Sequence, residues 1–295
     1  MPEKAEETPK EEKYPLDTER EPSVTKHRLG KLEYTATAGM LPLKNEFGET
    51  EAGIFFMAYT KDKVDDPSTR PLMFSFNGGP GSSSVWLHLG AVGPKRVKLL
   101  PDGDMPEPPF ELIDNPESWL EHTDLVFIDP VGTGYSRPAK KDGGKAYWSL
   151  EGDVKSFGEF IRLYLSRYRR WASPLYLVGE SYGTTRAAGI SGSLIGQGIA
   201  FKGIVLVSSI LNFQTTRFSK GNDLPNILFL PTYTATAWFH KKLAHKSLEE
   251  ALKESEAFAA NEYTLALSKG DRLSAEERSS TAQRLASLTG LSLEY

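Results

Sequence analysis

The sequence predicts an α/β fold: a mainly parallel sheet flanked by helices and followed by a helical cap. Three observations point there. Apolar runs of strand length at residues 71–76, 124–128, 174–178 and 203–207 alternate with helix-like stretches, and that alternation implies parallel pairing. Between the second and third runs, Val154, Phe157, Ile161, Tyr164, Leu165 and Tyr168 recur at three- and four-residue spacing, which gives one apolar helix face. Beyond Ser209 the strand pattern stops. Ser247 to Glu250 and Ser274 to Glu277 there have the S-x-x-E spacing of a capping box, each opening a helical segment.

Taken in order, residues 1–29 are rich in Glu, Lys and Pro and are expected to form a disordered, charged arm. They lack the apolar core of a signal peptide, which leaves the compartment open: cytoplasmic, or exported after removal of a signal outside this numbering. Residues 32–38 and 52–59 read as an antiparallel lead-in to the sheet. The run 71–76 opens into a glycine loop, 85–92 reads as a short helix, and 101–116, dense in Pro and acidic residues, as a surface excursion. Leu125, Val126, Phe127 and Ile128 mark a buried strand. The helix that follows ends in Arg167, Arg169 and Arg170, read as solvated charges that suit a helix C-terminus. Leu248, Ala251, Leu252 and Phe258 form a stripe in the last segment. The expected organisation is an arm at 1–29, a core at 30–209 and a helical cap at 210–295.

Composition narrows the function. With 295 residues and a net charge of −4, there is no electrostatic case for nucleic acid or an anionic membrane as partner. Zero cysteines exclude a disulfide framework, a thiol nucleophile and a cysteine zinc site. No histidine pair has zinc-ligand spacing, so no metal site is expected. No apolar stretch reaches the ~18 residues of a membrane-spanning helix, and there is no Asn-x-Ser/Thr acceptor. Oligomeric state is not legible.

The chemistry lies in two glycine motifs. Gly179-Glu180-Ser181-Tyr182-Gly183 follows the apolar run Leu175-Tyr176-Leu177-Val178 and precedes a helix rich in small residues. G-x-S-x-G in that setting is a nucleophile elbow, a sharp strand-to-helix turn that presents a serine hydroxyl at the sheet edge. About a hundred residues earlier, Asn77-Gly78-Gly79-Pro80-Gly81-Ser82-Ser83-Ser84 follows another strand. A glycine-rich loop at that place can bring backbone N–H groups close to a developing oxyanion.

Together with Asp129-Pro130-Val131-Gly132-Thr133-Gly134-Tyr135-Ser136, these motifs resemble the three signatures of the serine carboxypeptidase family, in the right order, with a likeness over roughly residues 30–295. The resemblance is to a cysteine-free, bacterial-type member. It implies an α/β-hydrolase fold with a helical insertion over the site, a Ser-Asp-His triad, and no metal or organic cofactor. It also implies removal of single residues from peptide or protein C-termini through an acyl-enzyme. By the resemblance Ser181 is the nucleophile, the N–H groups of Gly79 and Tyr182 form the oxyanion hole, and Asn77, Gly78 and Glu180 bind the substrate's terminal carboxylate. The chain departs from the pattern where Ser75-Phe76 replaces Trp-Leu, a position that contacts that carboxylate, and where Ser82 replaces a frequent Cys.

In the family's order the triad Asp and His follow the helical insertion. The sheet is therefore expected to be incomplete in this chain, with that Asp and His outside it. His27, His88, His122, His240 and His245 all lack the family's setting for the base. Asp129 reads as a turn residue rather than a triad member. Beside the carboxypeptidase reading stand a catalytically incomplete or truncated chain, and an esterase or acyltransferase on the same scaffold.

Overall fold

The computed structural model describes residues 13–294. The chain divides into two compact units, Met1–Leu211 and Asn212–Tyr295. The strands of the first are β1 (Ser23–Leu29), β2 (Leu32–Lys44), β3 (Thr50–Lys61), β4 (Leu72–Phe76), β5 (Lys95–Val97), β6 (Leu112–Asp114), β7 (Asp124–Ile128), β8 (Arg137–Pro138), β9 (Leu175–Glu180) and β10 (Gly203–Val207). The helices are α1 (Val85–Leu87), α2 (Leu150–Arg167) and α3 (Tyr182–Ile195). The main sheet runs β1-β2-β3-β7-β4-β9-β10, with β8 paired to β3.

The long β2–β3 hairpin is the expected antiparallel lead-in. β7, β4, β9 and β10 form a mutually parallel block. Within β7 the side chains alternate. Val126 and Ile128 join Phe74, Phe76, Phe157, Phe160, Ile161 and Tyr164 in one core under α2 and α3. Leu125 and Phe127 join Tyr34, Tyr59, Met73, Leu87 and Leu120 in a second core on the other face. Residues 101–111 form the exposed turn of the β5–β6 hairpin, as the Pro-rich composition implied.

Two expectations need correction. The expected disordered arm over residues 1–29 does not hold where the chain is described: Ser23–Leu29 is β1, paired in register with β2, and residues 1–12 lie outside the described residues. Six of its seven residues are exposed. No apolar face marks it in the sequence; backbone pairing to β2 holds it. The arginines after α2 are not all solvated either. Arg169 has a positive φ of 55°, and Arg170, which follows it, is only 5% exposed. Its Nη1 meets Asp124 Oδ2 at 2.7 Å and its Nη2 donates to the Arg70 carbonyl at 2.8 Å. Arg70 Nε reaches the other Asp124 oxygen at 2.8 Å. Both guanidinium groups thus share one buried carboxylate, the arrangement in which a buried charge is tolerated.

The second unit is helical: α4 (Leu224–Phe239), α5 (Leu248–Phe258), α6 (Thr264–Lys269) and α7 (Ala275–Thr289). Its core is Leu230, Phe258, Ala259 and Leu288, and Thr234 Oγ1 ties α4 to Ser255 of α5 at 2.8 Å. Ser274 and Glu277 form a complete capping box. Ser247 caps α5, but Glu250 reaches back to the Lys246 N–H, so the second box is only half made. Among the described residues no strand follows β10, and no helix is long and apolar enough to cross a membrane.

Candidate active site

The parallel block brings the loops after β4, β7 and β9 to one end of the sheet. Ser181 follows β9 directly with φ 57° and ψ −126°, a region costly for any residue with a Cβ. Neighbours over-determine the turn. The Ser181 N–H donates to the Val207 carbonyl at 2.9 Å. The Ser181 carbonyl accepts from the Thr184 N–H at 2.9 Å and from its hydroxyl at 2.7 Å. The Ile210 N–H in turn donates to Thr184 Oγ1 at 2.9 Å.

The motif glycines serve close approach. A Cβ on Gly179 would collide with the Gly183 carbonyl, and one on Gly183 would stand 3.0 Å from the Phe76 oxygen and 3.1 Å from the Asn77 oxygen. A Cβ on Gly78 would lie 2.7 Å from the Glu180 oxygen, 2.9 Å from the Gly183 nitrogen and closer still to the Tyr182 nitrogen. Elbow and glycine loop therefore meet backbone to backbone. Gly79 has φ 106°, open only to glycine at low cost, and its N–H has no acceptor among the described residues.

Asn77 is wholly buried, and its side-chain amide and its carbonyl are all engaged. Its Nδ2 donates to Glu180 Oε2 at 3.0 Å, its side-chain oxygen accepts from the Leu87 N–H at 3.0 Å, and its carbonyl accepts from Arg186 Nη1 at 2.6 Å. Asn77, Gly78 and Gly79 on one loop thus face Glu180, Ser181 and Tyr182 on the other. A cavity of about 270 Å³ adjoins them, with Pro80, Gly81, Val131, Trp148, Tyr182 and Arg186 among its walls.

Sequence reasoning missed Asp153 and Arg186. Arg186 Nε pairs with Asp153 Oδ2 at 2.8 Å, and both side chains are buried. The Tyr182 hydroxyl is pushed up to about 12, chiefly by burial and further by the neighbouring Asp153, to which it is hydrogen-bonded. Asp129 behaves as the turn residue expected of it. Its two oxygens accept from the N–H groups of Ser84 at 3.0 Å and Tyr135 at 3.3 Å, and burial raises its carboxyl above the ordinary range.

Three histidines have structural partners. His27 Nε2 meets Thr25 Oγ1 at 2.8 Å, and His245 Nε2 meets Glu254 at 2.9 Å. His88 bonds the Tyr59 hydroxyl at 2.7 Å and stacks on Phe127. Burial pulls His88 down to about 4. An unfolded histidine titrates near ~6.5, so below that pH the unfolded chain takes up a proton that the folded chain refuses. The stability held above ~6.5 is therefore lost as pH falls towards about 4, by up to about 3 kcal/mol. Urea midpoints at neutral pH and near pH 4 should show this acid loss reduced in His88→Gln; an equal loss in both proteins would exclude His88 as its source.

The sequence profile of the serine carboxypeptidase family matches residues 30–283. The chain belongs to that family. The pheromone-processing carboxypeptidase KEX1 of Saccharomyces cerevisiae is 35% identical over 156 residues, which cover 49% of this chain and 20% of that protein. A serine carboxypeptidase S10 family member of Dictyostelium discoideum is 32% identical over 136 residues, covering 45% of this chain and 29% of its own length. The crystal structure of the prohormone-processing KEX1 enzyme superposes with a TM-score of 0.53 at 24% identity, over 86% of this chain and 53% of that one. The chain thus spans about half or less of the relatives it matches. Its serine carboxypeptidase membership agrees with the architecture, which is the α/β-hydrolase fold.

Proposed function

We propose that this serine carboxypeptidase family chain carries the nucleophile, oxyanion donors and terminal-carboxylate site of an enzyme that releases C-terminal residues from peptides. The observation that carries the exopeptidase reading is the 3.0 Å bond between Asn77 Nδ2 and Glu180 Oε2, on the residue next to Ser181. An amide and a carboxyl group held there can grip a free carboxylate, which limits cleavage to the last peptide bond.

In this reading Ser181 Oγ attacks the carbonyl carbon of that bond. Its proton passes to the family's histidine, which follows the helical insertion in chain order. The oxyanion receives hydrogen bonds from the Gly79 and Tyr182 N–H groups, donors fixed before charge develops. The C–N bond breaks, the terminal amino acid leaves with the proton, and water releases the acyl group from Ser181. Asn77, Gly78 and Glu180 hold the terminal carboxylate. Residues 210–295 are read as the helical insertion and 30–209 as the N-terminal part of the hydrolase core.

Free-acid peptides should bind with lower KM than the same peptides amidated at the C-terminus, because the donors of Asn77 and Gly78 hold a charged acceptor more strongly than a neutral one. Steady-state kinetics on both series, with products sized by mass spectrometry, test this. Equal KM for the two series, or internal cleavage products, would overturn the carboxylate-site reading.

A further inference from the structure

We propose that Arg186 is a positioning residue that aims the oxyanion-binding loop, acting through the Asn77 carbonyl. This rests on the assignment of Gly79 as an oxyanion donor made above.

A glycine loop has no side chains to hold its peptide planes, and its backbone has the widest torsional freedom. Here the planes are held by their carbonyl ends. Arg186 Nη1 fixes the Asn77 oxygen at 2.6 Å, and the Ser82 N–H fixes the Gly78 oxygen at 3.1 Å. In a planar trans peptide the C=O and the following N–H point in opposite directions. Holding the Asn77 oxygen sets the Asn77–Gly78 plane, and holding the Gly78 oxygen sets the direction of the Gly79 N–H. The first of these two anchors comes from a side chain on α3, the same helix that opens at the nucleophile. Arg186 thereby ties the peptide plane next to the donor's own to the elbow that presents the attacking group.

Arg186 is itself immobilised. It is 1% exposed and pairs with Asp153 at 2.8 Å. Its guanidinium carbon lies 4.6 Å from the Phe157 ring centre, 5.1 Å from Tyr182 and 5.4 Å from Phe76. Asp153 also holds the Tyr182 hydroxyl. A buried ion pair is often no more stabilising than apolar residues of the same volume. Its use here is geometric: a fork with one arm on Asp153 and the other on the loop, which lysine, a point donor, cannot reproduce.

In the complete enzyme, with the family's histidine and aspartate present, the test compares an ester substrate with its thionoester on wild type, Arg186→Met, Arg186→Lys, Asp153→Asn and Ser181→Ala. Rates are normalised to competent sites by fluorophosphonate titration. Sulfur accepts hydrogen bonds poorly, so the ester-to-thionoester ratio of kcat reports donation to the oxyanion. Loss of aim should lower ester kcat roughly a hundredfold in Arg186→Met with little change in KM, and should collapse the ratio at least about tenfold. Arg186→Lys should fall between. A purely structural role would lower both substrates together and leave the ratio at its wild-type value. Hydrogen exchange of residues 77–84 is read in parallel on the same proteins and needs no turnover; it should quicken in the variants, Asp153→Asn included. An unchanged ratio, or unchanged exchange where no turnover is measured, overturns the positioning role. If Ser181→Ala keeps both activities, the proposed function itself fails; if it silences both while the Arg186 variants keep the ratio, only the positioning role does.

Discussion

In the complete enzyme proposed above, with the family's histidine and aspartate present, Ser181→Ala is expected to lower kcat for release of C-terminal residues on the order of 10⁶, leaving only the catalysis that binding and oxyanion donors supply without a nucleophile. The structure makes this a clean substitution. The Ser181 side chain makes no capping hydrogen bond to α3, and its hydroxyl has no partner among the described residues. The elbow is held by the Ser181 N–H and carbonyl, which alanine keeps. Stability should therefore stay within about 0.5 kcal/mol. A fluorophosphonate probe followed by peptide mapping should modify Ser181 alone. Labelling at another serine, or equal labelling of the alanine variant, would remove Ser181 from its assigned role.

Gly78→Ala should come next in size, with kcat/KM lower by on the order of 10³ and the fold retained. The added methyl would meet only backbone, the Glu180 oxygen at 2.7 Å and the Gly183 nitrogen at 2.9 Å with the Tyr182 nitrogen nearer still, so no side chain can swing aside. Either the glycine loop or the elbow must retreat, and the Gly79 and Tyr182 N–H groups, proposed above as the oxyanion donors, are then parted. Overpacking of this kind costs about 1–3 kcal/mol of stability, to be read from thermal melts alongside the kinetics. Activity within about tenfold of wild type would show that the two loops have slack, against the geometry described.

Much of the site was legible because glycine is written into it for steric reasons. Gly78, Gly179 and Gly183 occupy places where backbone meets backbone, and a strand followed by such glycines is a local pattern that one sequence reveals. The parallel block was legible for a similar reason: Leu125 to Ile128 and Leu175 to Val178 are apolar on both faces, as strands buried on both sides must be. What stayed hidden depends on partners far apart in sequence. Arg186 and Asp153 stand on different helices, 33 positions apart, and each alone reads as a solvated helix charge. Arg170 looked like a terminal basic residue because its partner Asp124 opens a strand 46 positions earlier. β1 was missed because an exposed edge strand needs only backbone pairing and leaves no apolar period.

The backbone torsion of Ser181 has an evolutionary corollary. At φ 57° the position suits glycine better than any residue with a Cβ, and relief of such strain amounts to roughly 1–3 kcal/mol. Folding and the proposed chemistry thus favour different codons at one site: thermostability alone would choose glycine, and the proposed nucleophile requires serine. A homologue that keeps the flanking glycines and the loop after β4, but carries glycine at the central position, would bear the mark of a lineage in which the scaffold outlived its reaction.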